Sequence, residues 1–187
     1  MLIRLEEHKR YAEITGFREV QIENTKEIAD AMRCVKERDT VIQFLNAELV
    51  ATWEHLFFAL LNAVVGFESD RNISKSLGVE IMLYASAQNQ IRKAIDLVGV
   101  KNGCVDLAVV LVGSNEESVE TALSAVKERL GKEPDESVLE LFGNKAEKIR
   151  GAFGINESEI EATTSDSAEK TIVNLIIERM ALLATTV

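Results

Sequence analysis

The chain is poor in cysteine and proline. Its 187 residues include two cysteines, Cys34 and Cys104, and one proline. Two cysteines in segments of different character do not form a disulfide framework, so a reducing compartment is favoured and we expect a cytoplasmic protein. With an apolar fraction of 47% and a single proline, the composition excludes collagen-like and proline-rich disordered chains.

Histidine is equally scarce, which limits the chemistry available. The histidines are His8 and His55, and Glu54-His55 has no second histidine four residues on, as a zinc protease helix requires. No GxSxG turn and no glycine-rich loop followed by Lys-Ser or Lys-Thr is present. We therefore expect no metal, no cofactor and no catalytic site. His55 is interpreted as a packing or interface residue, because no nucleophile or paired carboxylate accompanies it.

Positive charge and long apolar runs are also lacking. Lys and Arg number 21 against 31 Asp and Glu, which argues against a protein that grips duplex DNA over a wide face. The longest apolar run, residues 56–67, contains Asn62 and is shorter than the roughly 20 residues that span a bilayer. Residues 1–10 are charged and do not predict a signal peptide. We expect neither DNA nor a membrane as a partner.

The periodicity of the apolar residues predicts an α/β fold, with a small mixed β-sheet surrounded by several α-helices in a single domain over residues 1–187. Residues 11–22 alternate as two short strands or one bent strand, with Gly16 at a turn or bulge. Residues 104–112 are apolar on both faces, which predicts a central strand. Apolar spacings of three and four predict helices over 26–38, 47–67, 115–130 and 167–184.

The stretch VEIMLYASAQNQIRKAI, residues 79–95, places amides and cations between two apolar segments. It predicts helices over 79–84 and 87–98, with Ser86 capping the second. The buried stripe of that second helix is predicted to contain Ile91, Ala94, Ile95 and Val98. The polar residues then fit a capped helix start with an exposed polar face, or an anion site whose amides read base edges. Spacing alone leaves both interpretations open.

Two helices carry more small or apolar surface than one core-facing stripe needs. In the helix over 47–67, a second and narrower stripe contains Thr52, His55, Ala59 and Asn62, of the kind that lets another helix approach closely. The last helix is apolar on two stripes, the second of which contains Val173 and Ile177. We expect part of this surface to contact another protein.

Several motifs, taken in order, resemble a known family. The segments VIQFLNAELVATWEHLFFALLNAV, GVEIMLYASAQNQIRKAIDLVGV, CVDLAVVLVG, IRGAFGI and IIERMALL follow one another along the chain. This order and spacing is similar to that of the regulatory subunit of the KEOPS complex, the TPRKB or PRPK-binding-protein family, in its archaeal form. The resemblance extends from about Gly16 to about Leu183. It implies a single α/β domain without catalysis of its own.

Members of that family bind the kinase-like ATPase subunit of KEOPS and capture the single-stranded 3′ CCA end of tRNA, supporting N6-threonylcarbamoyladenosine modification. The resemblance therefore implies two sites in this chain. The expected tRNA-binding residues are Lys75, Gln90, Ile91, Arg92 and Lys93. The expected kinase-subunit interface contains Thr52, His55, Ala59, Val173, Ile177 and Met180. One departure is Asn89, which stands where archaeal relatives often have arginine before the Gln-Ile pair.

Two other functions are compatible with the same residues. The first is a protein-interaction module that regulates a kinase and never touches RNA. The second is a small-molecule hydrolase, which would require a pocket holding carboxylates of shifted pKa. Binding to the tRNA end is expected to distinguish the KEOPS function from both.

Overall fold

The computed structural model describes residues 2–20, 22, 40–163 and 167–186. The chain forms two compact units, the first from Met1–Ala47 and Gly99–Val138 and the second from Glu48–Val98 and Leu139–Val187. Each unit combines two separate stretches of chain. The single domain over 1–187 stays a prediction. The helix predicted over 26–38, together with Cys34, lies outside the described residues.

Within the first unit, strands form an antiparallel sheet in the order β1-β2-β4-β3. The strands are β1 Leu2–Leu5, β2 Arg10–Phe17, β3 Val41–Asn46 and β4 Leu107–Gly113. The predicted central strand is confirmed as β4, which pairs with β2 on one side and β3 on the other and is buried at every residue. Its uninterrupted apolar run is what a strand covered on both faces requires.

Seven α-helices accompany the sheet in the described part of the chain. They are α1 Trp53–Glu68, α2 Leu77–Ala85, α3 Ile91–Val98, α4 Glu116–Leu130, α5 Asn144–Phe153, α6 Glu157–Ala162 and α7 Ala168–Thr186. Short 3-10 helices occupy Glu6–His8, Ala47–Leu49 and Glu136–Leu139. The α/β class with a small sheet is confirmed, and the sheet predicted as mixed is antiparallel in each described pairing. None of these helices is long and apolar enough to cross a membrane.

The core of the first unit lies between the sheet and α4. The side chain of Asn115 caps α4 by accepting the N–H of Ser118 at 2.8 Å, as favoured for an asparagine before a helix. Gly131 ends the helix in the left-handed conformation. The buried residues that form this core are Phe17, Ile22, Ile42, Phe44, Cys104, Leu107, Val109, Leu111, Val119, Ala122 and Val126.

Strand β2 continues through Gly16, so the predicted turn or bulge is wrong. Gly16 pairs with Ala108 in the regular register, and its carbonyl accepts the N–H of Asp135 at 2.8 Å. A Cβ atom at position 16 would lie 1.8 Å from Cγ2 of Val138 and 2.9 Å from the carbonyl oxygen of Asp135. The glycine is needed because the segment 135–138 approaches the strand closely, not because the chain turns there.

We predict that Gly16→Ala lowers the free energy of unfolding by about 1–3 kcal/mol, because the new methyl group overlaps Val138. Urea unfolding followed by circular dichroism measures the change. A variant as stable as the parent would contradict the close packing of residues 135–138 on β2.

Gly151→Ala provides the matched control for this substitution. Gly151 lies within α5, and no heavy atom stands within 4 Å of the position its Cβ would take. Alanine is favoured over glycine inside a helix by roughly 1 kcal/mol. The control is therefore expected to be as stable as the parent, or more stable.

Candidate functional site

The connection between α2 and α3 is organised by the end of α2. Ser86 is fully buried, and its hydroxyl donates to the carbonyl of Leu83 at 2.9 Å. The N–H of Ala87 donates to Tyr84, and the N–H of Gln88 donates to Leu83. With Ala87 in the left-handed region at φ 50°, this is a Schellman arrangement. The prediction that Ser86 caps α3 is wrong, because its polar groups close α2 instead.

The predicted tRNA-binding residues are all exposed. Gln90 and the first three residues of α3, Ile91, Arg92 and Lys93, form one continuous exposed run. Lys75 is exposed in the loop before α2, two residues from its first residue Leu77. The helix α2, about 13 Å long from its residue count, separates Lys75 from the other run. The structure thus brings residues 90–93 together and places Lys75 at the opposite end of α2.

The predicted buried stripe of α3 is only half correct. Ala94 and Val98 are fully buried, whereas Ile91 and Ile95 are 45% and 46% exposed. Because α3 has eight residues and buries the row Ala94–Val98, the two isoleucines fall on its flank. An exposed apolar pair, four residues apart, therefore adjoins the cation Arg92.

A buried carboxylate organises the loop that carries Lys75. Glu80 lies in the first turn of α2 and is fully buried. One of its oxygens accepts the N–H of Ile73 at 3.0 Å, and the other accepts the N–H of Ser74 at 2.7 Å. Sequence reasoning missed Glu80, although an acidic residue inside the apolar segment GVEIMLYA was a signal, since a buried charge must be hydrogen-bonded.

His55 is an internal link between two helices. It is fully buried, its Nδ1 accepts the N–H of Ala51 at 3.0 Å, and its Nε2 lies 2.7 Å from the carbonyl oxygen of Ala85. This pairing requires the proton to be on Nε2. The ring also meets Phe153 edge-on at 5.8 Å. Burial lowers the pKa of His55 to about 4, against the raising effect of the bond to Ala85. The imidazole is therefore neutral at pH 7.

The residues predicted for the kinase interface differ in their burial. His55, Ala59 and Met180 are fully buried, so their side chains offer no surface to a partner and their assignment as direct contacts is corrected. They lie on α1 and α7, which pack against each other and against α2. Thr52 caps α1, accepting the N–H of His55 at 3.4 Å. It is half-buried, as are Val173 and Ile177.

Exposed apolar residues on the same two helices were missed by the sequence reasoning. Phe58 and Val65 project from α1, and Leu182 projects from α7. The predicted stripe contains Thr52 and Ala59, whereas α1 exposes Phe58, the residue next to Ala59. A run of apolar residues such as LFFALLNAVV contains two adjacent stripes, and only packing decides which of them is covered.

Carboxylates of shifted pKa serve structural roles in the described residues. The hydroxyl of Ser137 and then the guanidinium of Arg18 lower the pKa of Asp135. The backbone N–H of Asn156 and then Arg179 lower the pKa of Glu159. A catalytic acid needs a raised pKa, so this pattern does not favour the hydrolase alternative. Among the described residues, no three His, Cys, Asp or Glu side chains are grouped to hold a metal ion.

The burial of His55 predicts a pH dependence of stability. Its pKa is about 4 in the folded chain and about 6.5 when unfolded, so the unfolded state gains a proton first as the pH falls. The associated stability is present above pH 6.5 and is lost towards pH 4, by about 2–4 kcal/mol. Urea unfolding at several pH values measures this loss. His55→Gln is expected to flatten the dependence, and a variant with the same slope as the parent would contradict this assignment.

Comparisons with known proteins identify the family of this chain. Residues 17–184 match the family model described as Kinase binding protein CGI-121. "Regulatory protein Cgi121" of Methanocaldococcus jannaschii is 37% identical over 113 residues, which are 60% of this chain and 70% of that protein. "EKC/KEOPS complex subunit CGI121" of Debaryomyces hansenii is 30% identical over 87 residues, 46% of this chain and 44% of that protein. Because the family model spans most of its length, the chain belongs to the CGI-121 kinase-binding-protein family, which confirms the resemblance seen in its sequence.

Proposed function

We propose that this protein is a non-catalytic, cytoplasmic subunit of a KEOPS complex. In this proposal it binds the kinase-like ATPase subunit and the 3′ CCA end of tRNA, and supports N6-threonylcarbamoyladenosine modification of tRNA. The family description, which names kinase binding, and the name of the D. hansenii relative, which names the KEOPS complex, support the assembly. The observation that carries the RNA part is the exposed run of amide, apolar and cationic side chains at residues 90–93.

This run has the chemistry that a single-stranded RNA end requires. Arg92 and Lys93 supply charge for phosphates, and the amide of Gln90 can hydrogen-bond a base edge. Ile91 offers an apolar contact for the face of an unstacked base. Few phosphates need to be neutralised in such a site, so a chain with a net charge of -10 is compatible with it.

The partner surface that we propose lies on α1 and α7. It comprises Phe58, Val65, Val173, Ile177 and Leu182, which are exposed or half-buried apolar residues. Exposed apolar side chains concentrated on neighbouring helices mark protein interaction sites. Thr52, at the start of α1, is included in this surface. The buried residues His55, Ala59 and Met180 support the helices from the interior.

A second candidate is an interaction module that regulates a kinase without binding RNA. The description of the family supports it, since that description names kinase binding and not RNA. The two candidates differ in one observable property, the dependence of binding on the CCA end of tRNA.

We predict that the protein retards intact tRNA in a gel shift and that removal of the CCA end abolishes this retardation. Arg92→Glu is expected to weaken tRNA binding roughly ten-fold, since a phosphate contact is replaced by repulsion. Arg129→Glu, which reverses an exposed cation on α4, is the control and is expected to bind normally. Equal retardation of both RNAs, or of neither, would leave only the interaction module.

We further predict that Phe58→Glu or Val65→Glu weakens co-purification with the kinase-like subunit at least ten-fold and spares tRNA binding. A charge placed in an apolar contact is desolvated without a partner. Phe142→Glu is the matched control, because Phe142 is also exposed but lies in the loop before α5. An unchanged complex with all three variants would contradict the proposed surface.

A further inference from the structure

We propose that Glu80 is a positioning residue, which holds Lys75 where it meets an RNA phosphate by bonding the two residues that precede Lys75 in the loop. Lys75 is exposed, whereas Glu80 is fully buried. The inference rests on the proposed function, and on the expectation from the sequence that Lys75 is also one of the tRNA-binding residues.

The carboxylate of Glu80 is directed at the loop before α2. Glu80 projects from α2 towards the N–H groups of Ile73 and Ser74, and each of its oxygens accepts one of them. Hydrogen bonds to a charged acceptor are about twice as strong as neutral ones. An ionised carboxylate in an interior is costly unless it is bonded in this way, so the loop and the carboxylate depend on each other.

Hydrogen bonds order the residues next to Lys75. Ser74 is almost fully buried, and its hydroxyl oxygen accepts the N–H of Ser76 at 3.2 Å. Its carbonyl oxygen accepts the side-chain amide of Asn72 at 2.9 Å. The residues on either side of Lys75 are therefore held, and the bond from Glu80 to the N–H of Ser74 joins this arrangement to α2.

The beginning of the loop is anchored to the end of α1. The N–H of Arg71 donates to the carbonyl of Gly66 near the end of α1 at 2.9 Å. Asp70 turns the chain there in the left-handed region at φ 55°. The hydroxyl of Tyr84 lies close by, and its pKa is raised by burial and then by the negative charge of Glu80. The loop thus leaves α1 at a defined point and is bonded again at Glu80, which fixes the path of the backbone up to Lys75.

Position 80 requires a side chain with two acceptor oxygens. The neighbouring positions on α2, Ile81, Met82 and Leu83, are buried apolar residues. An apolar residue would complete that core but would leave the two N–H groups without acceptors. A glutamine would present one oxygen and one NH2 group, and the NH2 group cannot accept from an N–H. A carboxylate alone matches two converging donors.

The test is Glu80→Gln in the full chain, with tRNA carrying a mature CCA end as the probe. Lys75→Ala is expected to weaken binding roughly three- to ten-fold and to reduce the slope of log K against log salt by about 0.7, the value for one contact to a single strand. Glu80→Gln is expected to produce most of the same loss and the same reduction in slope. The double variant is expected to bind no more weakly than Lys75→Ala, since both changes remove one contact.

Ile81→Val is the control for general destabilisation, because Ile81 is fully buried beside Glu80 and does not contact the loop donors through a polar group. It is expected to lower the Tm while leaving tRNA affinity and salt slope unchanged. Hydrogen exchange at the amides of Ile73 and Ser74 is expected to accelerate in Glu80→Gln and not in Ile81→Val.

The outcomes separate this inference from the function beneath it. If Lys75→Ala weakens binding but Glu80→Gln does not, or if their effects multiply in the double variant, the positioning role is overturned and the RNA site stands. Equal losses for Glu80→Gln and Ile81→Val at equal Tm would show general destabilisation and also overturn it. If Lys75→Ala has no effect on tRNA binding, the contact at Lys75 and the inference are both overturned.

Discussion

The second unit depends on the hydrogen bonds made at the two ends of α2. This helix is buried at every residue except the half-buried Val79, so polar groups at its ends cannot rely on water. At its end, the carbonyl of Ala85 accepts the proton of His55 Nε2, and the bonds of the Schellman turn close the remaining groups. At its start, Glu80 turns back to bind the preceding loop. The last carbonyl groups of a buried helix need internal partners, and those of α2 have them.

These internal bonds determine which segments reach the surface. The loop carrying Lys75 enters α2, and the exposed run at residues 90–93 follows it, so both proposed RNA contacts are joined to one rigid element. The apolar surface proposed for the kinase-like subunit lies on α1 and α7 instead. His55 belongs to α1 and binds the end of α2, which gives the proposed partner surface and the RNA residues a common support inside the same unit.

Much of this arrangement could be predicted from the sequence. The features that could not be predicted depend on how segments pack against one another. The run that forms β4 and the helix α4, predicted over 115–130, were recognisable, because each is determined by neighbouring residues. Ser86 was assigned to the wrong helix, since a serine between two helices can cap either and the bonds of Ala87 and Gln88 decide. The burial of His55 and Glu80, and the need for glycine at position 16, arise from contacts distant in sequence. Periodicity does not contain that information.

The interleaving of the two units along the chain has a consequence for how the protein is made. Strands β2 and β3 both pair with β4, and β2 precedes it by about ninety residues in sequence. During synthesis β2 and β3 must therefore wait for β4, their shared partner, until the helices α1 to α3 and then β4 have left the ribosome. Such non-local pairing slows folding and leaves strand edges open to association with other chains.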